Sequence, residues 1–202
     1  MRSQPLRHDG AMDAEAVSLL REALDSTEWP DRARALGRAM RTTRSPGGLL
    51  IAGTPDDEPW HLTAHLADEA RLAGLPQLTP TLLRWSPDLS APPHLRVGVD
   101  RLLEARRGET LVVVSETEAP ISLLERVSDA RKTGATILAI DGGDPELESL
   151  AHDAFAVPRL TAPLTFDGAQ HLVSMAAGEA RKGLRERLAR LADRISGPRV
   201  PD

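Results

Sequence analysis

Residues 109–141, ETLVVVSETEAPISLLERVSDARKTGATILAID, decide the fold. Four apolar residues, Leu111, Val112, Val113 and Val114, run up to Ser115. Residues 116–119 make a short turn that leads to Pro120. Proline suits the first turn of a helix, where its φ is already correct and its missing N–H has no intrahelical partner. Apolar residues then recur at Ile121, Leu124, Val127 and Ala130, which is helical spacing. Gly134 stops that helix, and residues 135–140 form a second apolar run that ends at Asp141. A strand, a helix and a strand in this order make two parallel strands, apolar throughout because helices cover both faces of such a sheet. Ligands on these sheets bind where strands end and helices begin. Function is therefore expected near residues 115–120. That loop holds two carboxylates, Glu116 and Glu118, and no glycine.

The stretch resembles the second half of a sugar isomerase (SIS) domain, the phosphosugar-binding fold of the sedoheptulose-7-phosphate isomerases. In that family the same strand ends in a loop of the form Ser-Thr-Ser-Gly-Asn-Ser. Its hydroxyls and backbone N–H groups hold the phosphate at a helix N-terminus. The matching residues here are Ser115, Glu116, Thr117, Glu118, Ala119 and Pro120. The first hydroxyl is retained and Thr117 keeps another. Glu118 stands in place of the glycine, and Pro120 in place of the last hydroxyl. The resemblance runs from about Gly47 to Glu179 and rests on the order of elements more than on motif letters.

The rest of the chain fits this order. Residues 1–10 are polar and read as a disordered tail. Residues 12–24 read as a helix with Ala16, Leu19, Leu20 and Leu24 on one face, and 30–41 as a second with Leu36 and Met40 inward. Two such helices match those of small SIS proteins, where they commonly help build the oligomer. Residues 48–53, GLLIAG, are the first strand and 57–73 the next helix. Residues 75–96 hold five prolines and are expected to include an edge strand and a surface loop. Residues 97–106 read as a short helix. After Asp141 come a short helix (145–151), a short strand (154–157), a loop (158–165) and a long helix (167–195) with weak points at Gly168 and Gly178. The implied layout is one SIS-like domain over 11–196, with N-terminal helices at 11–43, a core at 47–179, a C-terminal helix at 167–196 and a loose tail at 197–202. The fold class is a three-layer α/β/α sandwich on a mainly parallel sheet, of flavodoxin-like topology.

Composition excludes several functions. The chain has 202 residues and a formal charge of −5, which gives no basic nucleic-acid surface. It has no cysteine, so disulfides, thiol chemistry and Cys-ligated zinc are ruled out. No apolar segment is long enough for a membrane span. The first ten residues, MRSQPLRHDG, lack an apolar signal core, and a cytoplasmic protein is expected. Arginines in 181–194 share a helix with the apolar stripe Leu184, Leu188, Leu191 and Ile195, a pattern for packing against another helix.

Candidate chemistry lies in four places. The first is residues 53–59, Gly-Thr-Pro-Asp-Asp-Glu-Pro, where the family reads roughly Gly-Asn-Gly-Gly-Ser. Gly53 and Thr54 are expected near a ligand, and Asp56 or Asp57 to cap the next helix. The second is His61, His65 and Glu69 on that helix. Histidines four apart share a face and can bind a divalent metal. In metal-dependent relatives a Gln and a His on the C-terminal helix complete the site. The matching positions here read Asp167 and Met175, so no metal and no cofactor is expected. Glu69 could act as a base toward a sugar C–H, or pair as an exposed acid with Arg71 or Arg96. The third is residues 141–144, Asp-Gly-Gly-Asp, with Asp141 either a ligand contact or part of a turn. The fourth is Asp167, Gln170 and His171, where the family's C-terminal helix reaches a site, often that of a neighbouring subunit.

The implied ligand-binding set is therefore Gly53, Thr54, Ser115, Glu116, Thr117, Glu118, Asp141, Asp167, Gln170 and His171, with Glu69, His65 and His171 as catalytic candidates. Acids in both loops oppose a phosphate. The leading expectation is a degenerate SIS domain that senses a carbohydrate derivative or another protein without catalysis, that is, a pseudoenzyme. The alternatives are a divergent phosphosugar (aldose–ketose) isomerase and a structural partner protein. A homodimer or homotetramer is expected, without nucleic acid or membrane.

Overall fold

The structure is a computed structural model, and it describes residues 28–88, 90–158 and 165–179. Its sheet has five parallel strands: β1 (Leu49–Ala52), β2 (Pro80–Leu83), β3 (Thr110–Ser115), β4 (Thr136–Asp141) and β5 (Asp153–Ala156), in the order β2-β1-β3-β4-β5. The expected edge strand within 75–96 is β2. It begins with Pro80, which edge strands accept because one side of an edge strand needs no ladder donor.

Alternation along the strands assigns the two faces. Leu49, Ile51, Val112, Val114, Leu138 and Ile140 share one core. That core includes α1 (Trp29–Met40), α2 (Trp60–Ala73) and α5 (Phe166–Ala177), through residues such as Leu36, Met40, Leu62, Leu66, Leu172 and Val173. Leu50, Ala52, Leu111, Val113, Ile137 and Ala139 share the other core. It meets α3 (Ile121–Lys132), α4 (Pro145–Leu150) and a 3-10 helix at Val99–Glu104. Three layers result, as the apolar strand runs require.

Three local expectations are corrected. The helix after β1 starts at Trp60, not 57, and its N-cap is Pro59 without a side-chain cap, so Asp56 and Asp57 do not cap it. The buried face of α3 is Leu123, Val127 and Ala130, while Ile121 is 73% exposed. Starting α3 one residue after Pro120 places Leu123 rather than Ile121 over the sheet. The short helix expected over 97–106 is present as the 3-10 helix Val99–Glu104. The helix expected over 167–195 ends at Ala177. Gly178 lies against the Glu69 carboxylate, where a Cβ would overlap Glu69 Oε2. The predicted helix at 12–24, both tails and the arginine-rich stretch at 181–194 lie outside the described residues. No helix among the described residues is long and apolar enough to cross a membrane.

Candidate functional site

The strand order reverses direction between β1 and β3, so the loops after these strands diverge and leave a crevice. The parallel register Leu49↔Thr110 to Ala52↔Val113 puts Gly53 and Ser115 at the same end of the sheet. Between the two loops lies a cavity of about 410 Å³, walled by Thr54, Asp56, Asp57, Glu116, Glu118 and Pro120. Thr117 also lines it. Six of the residues expected at a ligand, Gly53, Thr54, Ser115, Glu116, Thr117 and Glu118, thus belong to these two loops. Four carboxylates face one small space.

The β1 loop is held from the β2 side. Gly53 O accepts from Trp85 Nε1 at 2.9 Å. Glu58 takes Arg84 Nε at 3.0 Å and Trp85 N–H at 3.2 Å. The Arg84 guanidinium lies over the Trp60 ring, 4.8 Å from its centroid. Gly53 is required at its position, because a Cβ there would overlap Asp57 O and stand 2.6 Å from Pro59 Cδ. The sequence carried no signal for this anchoring, which joins residues 26 to 32 apart.

The β3 loop uses its polar groups on itself. Ser115 is 1% exposed, and its hydroxyl donates to Thr117 O at 2.6 Å. Ala119 N–H donates to Asp144 Oδ2 at 2.7 Å. Pro120, the N-cap of α3, has no N–H to offer. Two donors beside this helix start, the Ser115 hydroxyl and the Ala119 N–H, are therefore engaged, and Pro120 supplies none.

Asp141 is built into a turn. It is fully buried, and its Oδ1 accepts from Gly143 N–H at 2.7 Å and Asp144 N–H at 3.0 Å. Burial pushes its carboxyl above the usual value against those two hydrogen bonds, and nearby Asp144 adds to the rise. Glu148 is also pushed up, by burial and then by Asp141. Asp144, absent from the expected set, caps α4 by accepting from Glu146 and Leu147 N–H.

The histidines gather elsewhere. The His65 ring on α2 and the His171 ring on α5 stand 4.0 Å apart between centroids, tilted by 54°. Burial holds His171 below the usual imidazole value, His65 and His61 lower it further, and Asp167 opposes them. Glu69, one turn past His65, lies against Gly178, whereas Arg71 pairs with Asp68 at 3.0 Å. Among the described residues, no three His, Asp or Glu side chains are grouped to hold a metal. Near the start of α5, Asp57, Trp60, His61, Asp167 and Gln170 border a second cavity of about 290 Å³.

No family model matches the sequence, and no curated protein is similar to it in sequence. Solved structures are similar in fold. One is described as a sugar-binding protein from Salmonella typhimurium LT2, with a TM-score of 0.56 and 17% identity over 89% of this chain and 53% of that one. Another is described as a phosphosugar isomerase from Silicibacter pomeroyi DSS-3, with a TM-score of 0.55 and 16% identity over 91% of this chain and 53% of that one. The chain spans about half the length of these two. A third is the sugar isomerase domain of an RpiR transcription factor from Sphaerobacter thermophilus, with a TM-score of 0.54 and 14% identity over 88% and 89% of the two chains. The five-stranded parallel sheet with these flanking helices is therefore the fold of the sugar isomerase domains.

Proposed function

We propose that this chain is a sugar-isomerase-like domain that binds a carbohydrate derivative at the β1–β3 crevice without isomerising it, and that it acts as a ligand-sensing or interaction module. The observation that carries the reading is the state of the β3 loop. Ala119 N–H is taken by Asp144, the Ser115 hydroxyl by Thr117 O, and Pro120 has no donor. Asp56, Asp57, Glu116 and Glu118 surround the space. Each carboxylate a few ångströms from a phosphate costs about 1 kcal/mol even with the screening of water. A phosphosugar would meet repulsion from these acids, with the Ser115 hydroxyl and the Ala119 N–H already engaged. Isomerisation also requires a base held against the C–H beside the carbonyl. No histidine of the described residues lines this cavity.

Titration calorimetry tests the reading. Sedoheptulose 7-phosphate and glucose 6-phosphate are expected to bind weakly, with no conversion between aldose and ketose. Micromolar binding of either one, weakened by Ser115→Ala, would restore the divergent-isomerase reading. A second reading, in which the chain is a structural partner in a homo-oligomer, is favoured by its exposed apolar residues Leu72, Leu103 and Ile121, which are 63%, 66% and 73% exposed.

A further inference from the structure

Asp141 ends β4 as a fully buried carboxyl group, and only one of its oxygens is accounted for. Oδ1 accepts from Gly143 and Asp144 N–H. Oδ2 is buried and has no hydrogen-bond partner among the described residues. Leaving a buried acceptor unmade is costly, and more so when it is charged. The residues paired with Asp141 across the sheet, Ser115 on β3 and Ala156 on β5, bring no charge. The side chain that does reach Asp141 is another acid. Glu148 N–H donates to Asp144 O at 2.9 Å, which sets Glu148 one turn into α4. Helical side chains lean toward the N-terminal end of their helix. The Glu148 carboxyl accordingly returns over the β4 turn and makes a hydrogen-bonding contact with the Asp141 carboxyl. Ionised carboxylates only accept, so a hydrogen bond between two of them requires a proton.

We infer that Asp141 and Glu148 share one proton, and that this proton locks the β4 turn and with it the β3 wall of the crevice. The proton sits on Glu148, whose O–H donates to Asp141 Oδ2. The buried acceptor is then satisfied, and one of three neighbouring carboxyls, Asp141, Asp144 and Glu148, is neutral. The turn so secured is fastened to the β3 loop. Asp144 Oδ2 takes the Ala119 N–H. Gly142 N–H donates to Ser115 O at 3.0 Å, and Gly142 lies so close to Glu116 O that a Cβ would overlap it. Loss of the proton puts three negative charges around one turn and restores the unmet acceptor. Arg32 of α1 is the cation that faces Glu148, and it also pairs with Glu28 at 3.6 Å. Both carboxyls are raised, first by burial, and the pair titrates as a unit. A carboxyl raised in the fold holds its proton more tightly there than in the unfolded chain. Its stabilisation is complete below the ordinary values of 3.8 and 4.5 and is lost as pH rises through the folded values. The lock stands whether or not the crevice binds a sugar.

NMR titration of the full chain, labelled with carbon-13 and nitrogen-15, tests the inference. The Glu148 side-chain carboxyl is expected to titrate above 4.5, and the Ala119 amide to shift with the same midpoint. Glu148→Gln, at an exposed position, sets a donor against Asp141 Oδ2 that no change of pH removes. In that variant the Ala119 amide should stay flat over the same range. The variant should also melt about 2–4 °C higher than the wild type at about pH 8, the scale of one contact in a chain of this length. At about pH 4 the two should melt together. A Glu148 carboxyl that titrates at or below 4.5 would overturn the shared proton. So would a Glu148→Gln variant that melts no higher than the wild type at about pH 8, the result expected of an exposed acid that only attracts Arg32. An Ala119 amide that ignores the transition while Glu148 titrates high would overturn the link to the crevice wall.

Discussion

Asp144 Oδ2 accepts the Ala119 N–H at 2.7 Å, across 25 residues of sequence, while Asp144 Oδ1 caps α4. One buried carboxylate thus ties the β3 loop to the β4 loop and occupies the Ala119 N–H just ahead of the helix start. Asp144→Ala is expected to destabilise by more than a capping loss alone. The cap contributes about 0.5–2 kcal/mol, and an orphaned buried N–H at Ala119 adds about 1–3 kcal/mol. Asp144→Asn, which retains an acceptor, should cost less. Urea unfolding measures both, and equal costs for the two variants would contradict the shared role.

Gly53 is predicted to tolerate no side chain. A Cβ would overlap Asp57 O, and Trp85 Nε1 holds the Gly53 carbonyl so that the backbone cannot back away. Gly53→Ala should cost about 1–3 kcal/mol, the usual range for overpacking. Gly74, whose added Cβ would meet nothing within 4 Å, pays only the backbone penalty of its left-handed φ of 66° when changed to Ala, about 1–2 kcal/mol. Thermal unfolding of the two variants gives the comparison, and Gly53→Ala should also perturb the crevice.

Stability should fall with acid through His171. Its imidazole is held below the ordinary value by burial, then by His65 and His61, with Asp167 opposing. The unfolded chain therefore takes up the proton first, near the ordinary value of 6.5. Stability is present above that pH and is lost as pH falls through the lower folded value. Melting temperature should drop between about pH 7.5 and 5.5, and His171→Gln should flatten that drop. An unchanged slope in the variant would remove His171 from the account.

No stoichiometric zinc is expected to copurify. The paired rings of His65 and His171 supply two nitrogens, and no third ligand joins them among the described residues. Zinc sites use three or four protein ligands. Elemental analysis that found one zinc per chain, lost in His61→Ala or His65→Ala, would refute this.

A homodimer or homotetramer is expected in solution, because Leu72, Leu103 and Ile121 lie open on the surface. Light scattering at tens of micromolar reads the mass directly. A monomer there would count against the oligomer and against the structural-partner reading.

Much of the architecture is legible in the chain alone. The apolar runs at 48–53 and 110–115 and the turn residues that bound them lead to parallel strands, since a run buried on both faces has no other place in a sheet. Parallel strands then bring Gly53 and Ser115 to one end without any knowledge of packing. The acids in both loops are also plain in the sequence, and so is the conflict with a phosphate. Partners far apart in sequence were beyond its reach. Asp144 reads locally as part of a turn, yet its second oxygen fills the donor site at Ala119. Asp141 reads as either a ligand contact or part of a turn, and the fold turns it inward onto Gly143 and Asp144. His65 and His171 share no local pattern, and only the packing of α5 on α2 brings their rings together. Periodicity and turn chemistry act over a few residues and set the elements, whereas hydrogen-bond partners depend on which loops the finished sheet brings within about 3 Å of each other.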